Sequence, residues 1–579
     1  MVILGGNTMI SRSAVVRRCT CGLMIVLSPV LFFLVAGCHG RRSAPLAPAA
    51  APVSPSPLRK DVRVPGFIEA GRLALRRGRP AAAIGQFHRC LVIEPGNAAC
   101  LDGKGRAHAA LRQWEDAVTA WGELAALSPE DKPLAKRLAA ARRSWAAHNR
   151  RRAKAASRFP IGTASTPEDA PLRLRLAARF QRYSTSTLNA ADVYDTEIDS
   201  PKSVVISTDG ATAFVNSLEG RRTVIYDARL PGKLASVRHN FSAGQADLFP
   251  AGEPWFGYKF SADLPPEGPN VFSGKPVEGE LSHGGRYLWI PYYRRDFDLD
   301  GTQPSALAVM DTGSRKILRV LPAGPIAKNV AASPDGRYMA VAHWGGNTVG
   351  FIDISSSEPA AFAPAGLVII GSTQPPSGSE GMDRDRECGL CLRGLAWSVD
   401  SRTLFVGCMG GAGGVAVIDV PGSGAPLLSG RVKVGGNPRD LAISEDGRWL
   451  YAASGAAGAV IKTEAEAVRK AAAGNGASVA VSSVSVGGAP RSMRLLPGGK
   501  WIFVALNADS QVAVVDTEKM LVTARVGADS FPVGMDLTPD GRYLWVTSQG
   551  INGAGGNSVQ IFEISALPAA QGYRMPPLP

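Results

Sequence analysis

The heptapeptide Ser333-Pro334-Asp335-Gly336-Arg337-Tyr338-Met339 returns as Ser444-Glu445-Asp446-Gly447-Arg448-Trp449-Leu450 and again as Thr538-Pro539-Asp540-Gly541-Arg542-Tyr543-Leu544. Fainter copies stand at Thr208-Asp209-Gly210, Gly284-Gly285-Arg286, Val399-Asp400-Ser401 and Pro497-Gly498-Gly499. Asp-Gly and Gly-Gly supply the positive φ that a tight hairpin demands, and the flanks alternate apolar and polar residues as half-buried strands do. Each turn is preceded by a strand such as Asp440–Ile443. It is followed by a second strand such as Leu450–Ala453, a Gly/Asn loop and a third strand such as Val512–Asp516.

The copies keep a register. Seven residues before each turn aspartate or its equivalent lie Lys202, Val277, Lys328, Arg393, Arg439, Arg491 and Val533, and proline precedes five of the seven. Seven such units at intervals of 42 to 75 residues predict seven blades closed into a ring, since one blade cannot bury both of its faces. A stack of three-stranded sandwiches is the alternative. The pattern of proline, Ser-Pro-Asp-Gly-Arg-Tyr-Leu, Val512-Ala513-Val514-Val515-Asp516 and a strand ending in Val486-Gly487 resembles the YVTN-type (YncE-like) β-propeller repeat over about residues 188–567. The resemblance implies a fold, and fold alone licenses no activity.

The N-terminus predicts export. Arg12, Arg17 and Arg18 precede an apolar run, Leu23–Val35, that is too short to span a bilayer and ends in Val35-Ala36-Gly37-Cys38. Those four residues resemble a bacterial lipobox, which implies a signal peptide over 1–37 and a lipidated Cys38. An ordinary signal with an incidental cysteine is the alternative. His39 after the cysteine favours the outer membrane by analogy with enteric lipoproteins, and Met9 is an alternative start. The Pro/Ala-rich stretch 38–62 reads as a tether.

Residues 63–148 carry a second repeat of period 34: Gly71, Ala83, Phe87 and Pro95 recur as Gly105, Ala117, Trp121 and Pro129. This resembles the tetratricopeptide (TPR) repeat, with a capping helix at about Lys132–His148, and implies a protein partner. A plain helix bundle is the alternative. The fold class is therefore multidomain: an all-β seven-bladed propeller preceded by a small all-α TPR-like domain. Residues 149–187 read as a basic linker. Ala190–Ile198 reads as the strand that closes the ring, and 568–579 as a tail.

The formal charge of +15 is local: residues 134–185 hold thirteen Lys/Arg against two acids. A basic stretch beside a lipidated terminus fits an anionic membrane surface rather than nucleic acid. No G-x-S-x-G, H-E-x-x-H, P-loop or C-x-x-C-H motif is present. A binding or scaffold protein, not an enzyme, is thus expected, with a lactonase-like or quinoprotein-dehydrogenase-like propeller enzyme as the alternative.

Several candidate sites follow. Lys202, Lys328, Arg393, Arg439 and Arg491 share one register position, which places five cations around the mouth of the ring for an anionic ligand; Asp440 and Asp536 are available neutralising partners. His343 lies where it can face the same end of the ring. Asp296-x-Asp298-x-Asp300-Gly301 repeats the first half of a Ca²⁺ loop but lacks the closing Glu; an acidic loop without metal is the alternative, and no other cofactor is expected. Two insertions, Phe241–Asn270 with its aromatics and Gly371–Cys391, fall on one face of the ring. Cys90 with Cys100, and Cys388 with Cys391, are candidate disulfides for an oxidising compartment, with Cys408 as another partner.

Lipidation is checked by fractionation. Cys38→Ser is expected to move the protein from the membrane to the soluble periplasmic fraction; a mutant that still sediments with membranes through detergent-free washes would contradict the lipobox.

Overall fold

A computed structural model describes residues 63–156, 159–185, 190–250, 254–258, 268, 270–298, 301–373, 383–550 and 556–566. Cys38, the signal and tether readings, Phe260, Asp300 and the tail 568–579 lie outside them. No described helix is long and apolar enough to cross a membrane.

Seven antiparallel sheets follow one another along the chain and form a seven-bladed β-propeller. The first blade is Pro201–Ile206, Thr212–Ser217, Arg222–Asp227 and Gly232–Arg238. The repeated turn holds itself together by side chains. Ser333 Oγ donates to Asp335 Oδ1 at 2.6 Å and accepts the Tyr338 N–H at 2.9 Å, while Gly336 takes φ 72°. Ser398 with Asp400, Ser444 with Asp446 and Thr538 with Asp540 repeat the arrangement. The conserved shape of the heptapeptide is thus a local hydrogen-bonded device that fixes strand register. Between blades the strand faces pack as mixed aliphatic and aromatic layers, for instance Val341, Trp289, Leu307 and Met339, all fully buried.

The ring closes differently from the sequence expectation. Leu172–Gln181, inside the expected linker, pairs antiparallel with Ser558–Ala566 as the fourth strand of the last blade. Ala190–Ile198 does not take that place. Only Asp192–Tyr194 is strand there, and it runs parallel along the outside of the closing strand. The physical reason lies in the alternation Leu172-Arg173-Leu174-Arg175-Leu176: its leucines are buried in the core of the last blades, while Arg175 points outward to Glu563. Asp192-Val193-Tyr194 has no such buried face, with Val193 and Tyr194 at 36% and 39% exposure. Buried Arg179 adds an ion-paired staple to Asp192 and, at 3.5 Å, to Asp529.

Ahead of the ring stand five helices: α1 (Arg63–Arg76), α2 (Pro80–Ile93), α3 (Ala98–Ala110), α4 (Trp114–Leu127) and α5 (Lys132–Ala156). α5 runs beyond the expected capping helix into the basic segment. The period-34 residues do what their chemistry suggests. A Cβ at Gly71 would lie 2.6 Å from Phe87, and one at Gly105 would lie 2.5 Å from Trp121, so the glycines make room for the aromatics. Cys90 bonds to Cys100 between α2 and α3, and Cys388 bonds to Cys391; Cys408 is buried and free.

The closing strand is separable by mutation. Leu174→Ala, at a fully buried position, is expected to destabilise the propeller by about 2–5 kcal/mol. Arg175→Ala, which breaks an exposed pair, is expected to cost no more than about 1 kcal/mol. Urea unfolding checks both; equal effects would mean that the strand contributes edge pairing without core burial.

Candidate functional site at the mouth of the ring

Antiparallel pairing decides which parts of the blades share a rim. Pro201 pairs with Ser217, Pro438 with Ser454 and Pro532 with Ser548. The start of each inner strand therefore lies level with the loop after the second strand, and all seven starts surround one end of the central channel. Neighbouring inner strands come close enough to need glycine: a Cβ at Gly534 would lie 2.6 Å from the Lys202 carbonyl oxygen. Side chains stitch them together. Ser203 Oγ donates to the Val277 carbonyl at 2.8 Å, and Asp440 accepts the Met493 N–H of the next blade at 2.8 Å. Asp536 accepts the Ile206 N–H, again at 2.8 Å, across the junction of last and first blades.

The five register-matched cations meet there. Lys202, Lys328, Arg393 and Arg491 are buried and Arg439 is half-buried. Their charges are mutually felt. Burial, then the charge of Arg491, pushes the Lys202 ammonium well below its ordinary range, with Arg393 and Lys328 adding to the effect. Burial, then Arg393 and Arg439, does the same to Arg491. Burial lowers Lys328 to about 8 against the opposing pull of Asp385, and burial with Arg393 lowers Arg439 to about 10.

Two acids answer this charge. Arg393 pairs with Glu278 at 2.6 Å and Lys328 with Asp385 at 3.1 Å, the latter ammonium also lying 4.4 Å from the ring centres of Tyr293 and Trp344. Burial pushes Glu278 up, but Arg393, Lys202, Arg491 and Lys328 outweigh it and hold the carboxyl below its usual range. The expected partners, Asp440 and Asp536, do not serve the mouth. They lie deeper, on Arg494, at 3.7 and 3.2 Å. Among the described residues Lys202 reaches only Gln549, at 3.5 Å, and Arg439 and Arg491 have no ion pair. The buried Nε of Arg491 has no hydrogen-bond partner, and its guanidinium stands 5.7 Å from the centre of the Phe531 ring.

The inner strands enclose a cavity of about 380 Å³, a volume usual for small-molecule sites. Arg393 and Arg491 line it together with Glu278, Glu280, Asp440, Arg494 and Asp536; Lys202, Lys328 and Arg439 stand above and do not line it. Glu278 and Glu280 were legible in principle, one and three positions after the register residue Val277. Asp385 belongs to an insertion with no register, and no sequence signal marks it.

The other expected sites resolve differently. His343 does not face the channel. It is wholly buried in the blade wall between Phe256 and Tyr258, with Nδ1 on Thr348 at 2.9 Å, and burial drops its pKa to about 3. Trp255 and Phe256 are buried in the same core, so these insertion aromatics anchor a loop. The two described carboxylates of the Ca²⁺-like stretch turn to separate partners. Asp298 accepts the Thr302 and Gln303 N–H groups, at 3.0 Å each, while Asp296 accepts the Ser273 N–H at 2.8 Å and faces His88 of α2 at 3.3 Å. Among the described residues no group of three or more His, Cys, Asp or Glu converges as metal ligands.

No family model matches the chain, and no curated protein does. Solved structures match by shape. Hydrazine synthase of Kuenenia stuttgartiensis is 16% identical, over 66% of this chain and 99% of that one, at TM-score 0.44. The Cps50 (Swd1) β-propeller domain of Myceliophteria thermophila is 11% identical, over 66% and 99%, at 0.44. A chain of a mitotic checkpoint complex is 14% identical, over 64% and 88%, at 0.42. Identities this low concern fold alone, and the seven-bladed ring rests on the strand pairing above.

Arg491→Met separates a ligand site from a structural arginine. Removing an unpaired buried guanidinium among like charges is expected to stabilise the fold, on the order of 1 kcal/mol in urea unfolding. A loss of stability would mean that Arg491 holds the mouth together.

Proposed function

We propose that the protein is a membrane-anchored bacterial envelope lipoprotein that works as a binding scaffold, with the propeller mouth capturing an anionic group and the helices offering a second, protein-binding surface. The observation that carries the mouth is the charge of Lys202, Arg439 and Arg491, held together by the pseudo-symmetry of the ring where, among the described residues, ion-paired acids reach Arg393 and Lys328 alone. Guanidinium forks favour carboxylate, sulfate or phosphate groups, and like charges in a confined rim raise the local concentration of anions. The period-34 packing of α1 to α4 supports a TPR-like module, the register of the turns supports a YVTN-type propeller, and the sequence before residue 63 supports the lipid anchor.

Part of the helical surface already has a partner. His88 faces Asp296 of the second blade, and Arg182 bridges Glu115 of α4 to Asp199 beside the mouth. The helices thus lie on the same rim as the cationic ring. A ligand at the mouth and a protein on the helices would be held side by side.

Titration calorimetry with short-chain polyphosphate at low salt tests the mouth. Wild type is expected to bind, with affinity falling steeply as salt is raised, and Arg439→Ala with Arg491→Ala is expected to weaken binding about tenfold or more while the thermal transition is retained. A wild type that binds no polyphosphate at low salt, with a double mutant that unfolds, would make these arginines structural.

A further inference from the structure

The charge of the channel is layered. The mouth carries the surplus cations. Deeper, Arg494 is shared by Asp440 and Asp536, and Glu280 at the same level has no ion-pair partner among the described residues. Burial first, and the nearby Asp536 after it, raise Glu280 to about 7 against the opposing pull of Arg494. Arg491, with no ion pair among the described residues, and Glu280, with none within 4 Å there, therefore line one continuous cavity of about 380 Å³. Arg491 and Arg494 lie three residues apart on one inner strand, so the two levels are separated by about 10 Å between backbones.

Neither level can be relieved by the other. Arg393 already spans to Glu278, and Asp440 and Asp536 are fixed by the amides of neighbouring blades. A simple anion answers only the mouth, and its charge is repelled by the deeper carboxylates. A simple amine meets the mouth cations first.

We propose that the channel binds a small zwitterion, with its anionic group held at Arg491 and Arg439 and an ammonium group carried inward to Glu280. This rests on the mouth being an anion site and names the class of molecule that fills the cavity beneath it. The ligand is small because the cavity is closed in by the inner strands, and its two charges stand several bonds apart because the two levels do. An α-amino acid backbone, whose charges are adjacent, satisfies one level at a time.

Calorimetry on the full chain in detergent distinguishes the cases with ε-aminocaproate, caproate, glycine and inorganic phosphate as probes. ε-Aminocaproate is expected to bind about tenfold tighter than caproate and than glycine, and Glu280→Gln is expected to bring the ratio to caproate close to one. If caproate and phosphate bind but ε-aminocaproate binds no tighter, the zwitterion is overturned and the anion mouth stands. If none of the four binds at low salt, both fall. The wild-type comparison decides alone should Glu280→Gln fail to fold.

Discussion

The ring depends on one pairing: Leu172–Gln181 against Ser558–Ala566. A propeller blade has two apolar faces, and each face is covered only if its neighbour is present. The first and last blades begin at Pro201 and Pro532, far apart along the chain, so covering their shared interface needs a strand carried across the gap. Here that strand comes from the N-terminal side. Its buried leucines fill the core shared with the sixth blade, and Phe180 stacks on Tyr226 of the first blade at 4.1 Å. Arg179, buried beside Asp529 and paired with half-buried Asp192, is a less obvious contributor. The desolvation of a buried ion pair cancels much of its attraction, so its value is in fixing register at the seam.

Closure has an electrostatic consequence. Once seven inner strands are held around one axis, whatever residue type occupies their first position is multiplied there. Cations at five of seven positions would be harmless on an extended surface, yet in the ring burial and mutual repulsion disfavour the charged forms of Lys202, Lys328, Arg439 and Arg491, and the Nε of Arg491 has no hydrogen-bond partner among the described residues. A fold tolerates such an arrangement at a cost in stability, and unrelieved charge of this kind concentrates where ligands bind.

The helices extend the same rim. α2 and α4 touch the propeller through His88–Asp296 and Glu115–Arg182–Asp199. Asp199 is linked onward through Asn557 and Ser200 to Gln549, which faces Lys202. The helices and the mouth are therefore joined by a chain of ion pairs and hydrogen bonds.

What the sequence by itself determined was local. Asp-Gly turns, alternation and the fixed offset to Lys202, Lys328, Arg393, Arg439 and Arg491 specify blades, their number and the ring of cations, because turn chemistry and strand period act over a few residues. The small-residue and aromatic pairs Gly71 with Phe87 and Gly105 with Trp121 likewise declared the packing of the helices. Tertiary structure alone decided which strand closes the ring, since along the sequence Leu172–Leu176 reads as part of a linker and Ala190–Ile198 as the closing strand, and only the core of the last blade reverses the two. It also decided which acids answer the cations. Glu278 comes from the second blade, two along the ring from Arg393, and Asp385 from an insertion, and Coulomb partners are set by distance in space, which a register along the chain does not encode.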